Sequence, residues 1–133
     1  MTSAAGATLF ERIVAGSIPC AKVYEDDTSL AFRDIAPVAP THILVIPKSA
    51  EGGRLASLSS ASAADAPLLG HLLWVAAEVA RREGVAAGGY RIVINDGAHG
   101  CQAVPHLHLH LIAGKQLSWP PGTGAQEGPK AVA

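Results

Sequence analysis

With 133 residues, 49% of them apolar and 16% charged, the chain is long enough for one domain with a real core and too short to expect two. A formal net charge of −1, with Lys and Arg scattered along the chain, leaves no field for a nucleic-acid backbone, and two cysteines without a C-x-x-C motif leave no disulfide framework. Residues 1–7 read as a flexible start without a basic or apolar leader, and the apolar run near 68–80 is broken by His71 and Glu78, so the expectation is a cytoplasmic protein with no membrane span.

Thr8-Leu9-Phe10-Glu11 matches a capping box, Leu9, Phe10, Ile13 and Val14 supply one apolar stripe, and Gly16 is placed to end a short helix. Residues 21–25 and 29–34 read as strands joined at Asp26-Asp27, a hairpin. Residues 36–40 carry two prolines and make a bend. A third strand follows from Thr41 to Pro47, with His42 on the face of Leu44 and Ile46; taken alone, a histidine there is more often structural than catalytic.

Residues 49–65 have no sustained period and read as a long surface connection with room for a helical turn. The spacing then predicts a helix over 67–83, with Pro67 at its start, Gly84 past its end, and a stripe of Leu68, Leu69, Leu72, Leu73, Ala76, Val79 and Ala80. Trp74 and Val75 widen that stripe and point to a second buried surface, against another subunit. Residues 90–96 read as a strand and the glycine-flanked 96–100 as a loop. Trp119-Pro120-Pro121-Gly122 is irregular, and 123–133 reads as a disordered tail. The sum is an α+β domain, a mostly antiparallel sheet with one long helix and one short one.

The segment 106–112 carries three of the six histidines. On a strand, His106, His108 and His110 share one face, and Leu107, Leu109 and Leu111 share the other. Three readings compete: an ordinary polar face, a metal site built on neutral imidazoles, and phosphoryl chemistry in which one imidazole attacks while its neighbours donate or stabilise charge.

With these residues placed, the chain resembles the histidine-triad superfamily, whose signature His-φ-His-φ-His-φ-φ is met by 106–112. Phe32-Arg33-Asp34-Ile35, Ala39-Pro40-Thr41-His42, Asn95-Asp96-Gly97 and Trp119-Pro120-Pro121-Gly122 resemble its nucleotide-binding branch in particular. The likeness covers 8–122 as a single domain of that fold. It implies a purine nucleoside phosphoramidase that cleaves a P–N bond through a nucleotidyl-histidine, with no cofactor and no metal. Carried over by position, His108 is the nucleophile, His110 a phosphate contact and proton donor, and His106 and His42 supporting residues. Asn95 resembles the phosphate-binding amide, Asp34 the carboxylate that holds the ribose, and Leu9, Phe10, Phe32 and Ile35 the purine slot. The family further implies a homodimer in which Trp119 enters the partner's leaving-group pocket.

Two residues depart from the family's pattern. Members usually carry Gly and Ser just before the triad, where this chain has Cys101 and Ala103. Ala103 offers no hydroxyl to the phosphate or leaving group, which bears on rate and leaving-group preference; Cys101 is either a small apolar filler or a redox-sensitive thiol. The alternatives are a dinucleoside polyphosphate hydrolase, against which the Trp-Pro-Pro-Gly end argues, and a nucleotide-binding regulator with weak hydrolysis. A zinc hydrolase ranks last, because no carboxylate partner for the histidines is evident in the sequence.

Overall fold

Thr8 opens helix α1 (Leu9–Val14) as the spacing predicts. Its hydroxyl accepts the Glu11 N–H at 3.0 Å while the Glu11 carboxylate accepts the Thr8 N–H at 2.9 Å. Gly16, at φ 85°, then turns the chain away. The computed structural model describes residues 7–48 and 55–123. The flexible start and disordered tail expected over 1–7 and 123–133 therefore lie outside the described residues, apart from Ala7 and Thr123.

Five strands follow: β1 (Lys22–Glu25), β2 (Ser29–Arg33), β3 (Thr41–Pro47), β4 (Tyr90–Val93) and β5 (Leu109–Ala113). They form one antiparallel sheet in the order β1-β2-β3-β5-β4, which makes β4 an edge. Helix α2 (Ala66–Arg82) covers one face, where Ala31, Ile43, Val45, Leu107, Leu109 and Leu111 meet its Leu72, Val75, Ala76, Val79 and Ala80. The opposite face carries Leu30, Phe32, Leu44 and Ile46 and is covered by Phe10 and Ile13 of α1. Before α2 the connection winds into two short 3-10 turns, Leu58–Ser60 and Ala63–Asp65, in place of a featureless loop; its 49–54 portion lies outside the described residues.

Three sequence expectations need correction. The spacing places Leu73 in the buried stripe, but it is 50% exposed, as is Trp74, whereas Val75 is fully buried: 72, 75, 76 and 79 share one side of a 3.6-residue period, and 73 turns away from it. The strand expected over 90–96 stops at Val93. The histidine segment is not one regular strand either, since pairing begins only at Leu109. Upstream, the His106 N–H turns back to the Val104 carbonyl and the Leu107 N–H goes to the Leu55 carbonyl, both at 2.8 Å, so these donors are withdrawn from a ladder. The alternation survives because burial enforces it, with Leu107, Leu109 and Leu111 all at 1% exposure or less under α2.

Asp26 ties the β1–β2 turn to α2. Its carboxylate accepts from the Tyr24 hydroxyl (2.8 Å), the Thr28 N–H (2.9 Å), the Ser29 N–H and hydroxyl (both 2.8 Å) and His71 Nε2 (2.7 Å). Burial pushes this carboxyl up, and the bonds from Tyr24, Thr28, His71 and Ser29 outweigh it, holding the group well below the usual carboxylate range. A depressed folded-state value contributes stability that is complete above the unfolded value, near pH 4, and is lost as pH falls below it. Because the side chain remains 26% exposed, the charge-assisted bonds are discounted for solvent. Asp26→Ala should cost about 2–3 kcal/mol by urea unfolding at pH 7 and much less at pH 2. Equal losses at both pH values would show that the ionised carboxylate is not the source.

Candidate active site

Register brings the histidines together. Leu44 and Val93 both pair with His110, which therefore stands in mid-sheet, and His42 pairs with Ile112, one diagonal step away on the same face. His42, His106, His108 and His110 are all buried, at 4%, 2%, 1% and 3% exposure. Phe10 sets its ring edge-on to His106 (5.7 Å between centroids) and to His108 (5.0 Å), and His108 stands 5.1 Å from His110.

The backbone decides which nitrogen carries the proton in His108, His106 and His42, and His42 in turn decides it for His110. His108 Nδ1 lies 2.6 Å from the His106 carbonyl, which can only accept, so Nδ1 is the donor and the lone pair is at Nε2. That Nε2 is buried and has no hydrogen-bond partner among the described residues. His106 Nε2 lies 3.0 Å from the Pro47 carbonyl and carries its proton there, leaving Nδ1 to accept from the Thr8 hydroxyl at 3.3 Å. The Val38 N–H donates to His42 Nδ1 at 3.1 Å, which puts the His42 proton on Nε2, 2.9 Å from His110 Nδ1 and 3.3 Å from Asp34 Oδ2. His110 Nδ1 therefore accepts, and its own proton sits on Nε2. One ring presents a lone pair and its neighbour a donor.

The other predicted residues take distinct places. Asp34 is buried, with Oδ1 accepting the Ala36 N–H at 2.8 Å and Oδ2 facing His42, so the carboxylate partner that sequence alone did not reveal lies across the β2–β3 bend. Phe10 and Phe32 are buried in edge-to-face contact at 5.7 Å, while Leu9 (46%) and Ile35 (98%) are exposed. Asn95 follows two residues after Val93 and is half-buried. Cys101 is half-buried with φ 63°, a left-handed conformation natural to glycine, and Ala103 is exposed. Just before Cys101, a Cβ on Gly100 would come within 2.6 Å of the Asp96 carbonyl oxygen, so only glycine fits. Trp119 is 79% exposed. Thr8, Val38 and Pro47 are the participants that the sequence does not announce; the spacing marks Thr8 only as a helix cap.

Asp34, His42 and His110 also offer ligand atoms within 4.8 Å of one another. A metal would need the His42 lone pair at Nε2, with the proton moved to Nδ1. There it would face the Val38 N–H, donor against donor, at 3.1 Å. These residues do not fit a metal as they are arranged.

Burial holds the His42 imidazole below its ordinary value of 6.5, against the opposing pull of Asp34. A depressed value in the fold means that its contribution to stability is complete above about pH 6.5 and is lost as pH falls below it. Urea midpoints measured from pH 8 to 5 should fall below pH 6.5, and His42→Gln should make that decline shallower. An identical decline in the variant would place the titration elsewhere.

Comparison with known proteins identifies the family. The HIT domain family profile matches residues 15–117. A 14 kDa zinc-binding protein of Zea mays is 53% identical over 115 residues, spanning 86% of this chain and 88% of that protein. A protein of Arabidopsis thaliana named adenylylsulfatase HINT1 is also 53% identical over 115 residues, spanning 86% and 76%. Among solved structures, a HIT family hydrolase from Legionella pneumophila superposes with TM-score 0.81 at 46% identity, covering 86% of this chain and 98% of that one. A histidine triad protein from Clostridium difficile gives 0.78 at 42%, covering 83% and 92%. Profile, relatives and the buried histidine row coincide over the same span: the chain belongs to the HIT domain family.

Proposed function

We propose that the chain hydrolyses purine nucleoside 5′-phosphoramidates through a nucleotidyl-histidine at His108. The observation that carries this reading is the fixed tautomer of His108, with Nδ1–H committed to a carbonyl and a buried Nε2 lone pair without a partner. His108 Nε2 attacks phosphorus and the P–N bond breaks. The nitrogen leaves as a neutral amine with the proton it holds in the N-protonated substrate. Water then attacks phosphorus, the P–His108 bond breaks, and the water's surplus proton passes to the solvent. His110, with its proton on Nε2, serves as a hydrogen-bond donor to the phosphoryl oxygens, and His42 holds it in that form. Leu9 and Ile35 flank the purine above a floor of Phe10 and Phe32. Asp34 holds the ribose hydroxyls, and Asn95 contacts the phosphate.

A second leaving group has specific support. Sulfate departs from adenylylsulfate without needing a proton, which suits a site where Ala103 offers no hydroxyl, and the Arabidopsis relative bears the name adenylylsulfatase. The phosphorus chemistry is the same for both. A panel of adenosine phosphoramidate, adenylylsulfate and diadenosine polyphosphate, with and without chelator, tests the reading. Rapid quench of wild type should trap nucleotidyl label, and His108→Ala should lose at least ~10³-fold in turnover while still binding AMP. Label that persists on His108→Ala would overturn the assignment.

We infer further that the chain works as a homodimer that shares its sites. Edge strand β4 leaves one side open for pairing, α2 exposes Leu73 and Trp74, and Arg91 on β4 donates to the Ser118 carbonyl at 2.9 Å, which stations Trp119 at that edge. Trp119→Ala should change selectivity among bulky amine leaving groups more than AMP affinity, with the dimer intact by light scattering. A fully active monomer at micromolar concentration would refute the arrangement.

A further inference from the structure

Helix α1 meets the histidine row twice. The Phe10 ring packs edge-on to His106 and His108, and the Thr8 hydroxyl, which caps the helix by accepting the Glu11 N–H at 3.0 Å, reaches His106 Nδ1 at 3.3 Å across 98 positions of sequence. Thr8 is itself buried, at 8% exposure. One hydroxyl thus has two partners: its oxygen accepts from the helix and its hydrogen goes to the imidazole.

We propose that Thr8 is a positioning residue for the nucleophile. The His106 ring is held at both ends, by Thr8 at Nδ1 and by the Pro47 carbonyl at Nε2. A ring clamped at both nitrogens fixes the residue that bears it, and that residue's carbonyl is the acceptor for His108 Nδ1–H at 2.6 Å. The line runs from the cap of α1, through the side chain of His106, to its carbonyl, and so to the tautomer and aim of His108. Because the next residues along α1 are Leu9 and Phe10 of the purine slot, the helix that meets the base is bonded to the row that meets the phosphorus. The role rests on the reaction proposed above, but the bond to His106 does not.

Substitutions at Thr8 separate the cap from the clamp. Thr8→Ser keeps both functions and should retain wild-type kinetics. Aspartate is a good cap yet can only accept, so Thr8→Asp should leave thermal stability near wild type while His106 Nδ1 takes up a proton to meet the carboxylate. Turnover should fall about tenfold with KM unchanged, and the pH profile should move. Thr8→Val removes both functions and should lower stability and turnover together. Nitrogen-15 correlation spectra of the His106 ring give a readout independent of activity: proton on Nε2 alone in wild type and Thr8→Ser, proton on both nitrogens in Thr8→Asp. If wild type shows the expected tautomer but hydrolyses no nucleotide, the reaction proposed above fails and the bond stands. If Thr8→Asp keeps the wild-type tautomer, pH profile and turnover, the positioning role is overturned.

Discussion

The hydrogen bond from His108 Nδ1 to the His106 carbonyl is the point on which the proposed chemistry turns. An imidazole free to choose its tautomer would present a lone pair at Nε2 only part of the time and with no fixed direction. Here the acceptor is main chain, two residues upstream, and it is fixed by everything that fixes His106. The same device recurs: the Pro47 carbonyl sets His106 and the Val38 N–H sets His42. Main-chain groups make better anchors than side chains, because they have no rotamers and move only with the chain: Pro47 ends β3, Val38 sits in the β2–β3 bend, and His106 is pinned by its own backbone and ring bonds.

The position of those anchors is paid for by the opposite face. Burying an imidazole nitrogen without a partner costs about 1–3 kcal/mol. Each fully buried leucine contributes about 1.5–3 kcal/mol of apolar burial, and Leu107, Leu109 and Leu111 lie under α2 in alternation with the histidines. A shift of one residue in register would bury the histidines under α2 and expose the leucines to the site, so burial of the leucines also selects the register that assembles the site. Stability and placement are set by the same three side chains.

Much of this was legible in sequence because it follows from short-range rules. Period-two alternation over 106–111 separated the leucine face from the histidine face, and the Thr8–Glu11 spacing located the first helix. The ladder's end at Leu109 was hidden because the competing acceptor, the Leu55 carbonyl, is 52 positions away from Leu107 and carries no side-chain signature. For the same reason the roles of Thr8, Val38 and Pro47 could not be read: two act through main-chain atoms that every residue type possesses, and Thr8 already had a sufficient local explanation. Family likeness gives Asp34 the ribose, and its contact with His42 emerges only when the bend between β2 and β3 closes.

The same proton accounting bears on the zinc reading. The Zea mays relative bears the name zinc-binding protein, and a carboxylate with two imidazoles in close reach is a metal-like donor set. Ligand type is not enough, because a metal-bound imidazole must donate its remaining N–H to an acceptor. At His42 the neighbour is the Val38 N–H, a donor held by the bend that follows Asp34. With the proton kept on Nε2, His42 instead donates to His110 Nδ1, and His110 is left with its N–H at Nε2. One main-chain N–H thus turns a metal-like cluster into a relay of hydrogen bonds, which is the form the proposed reaction uses.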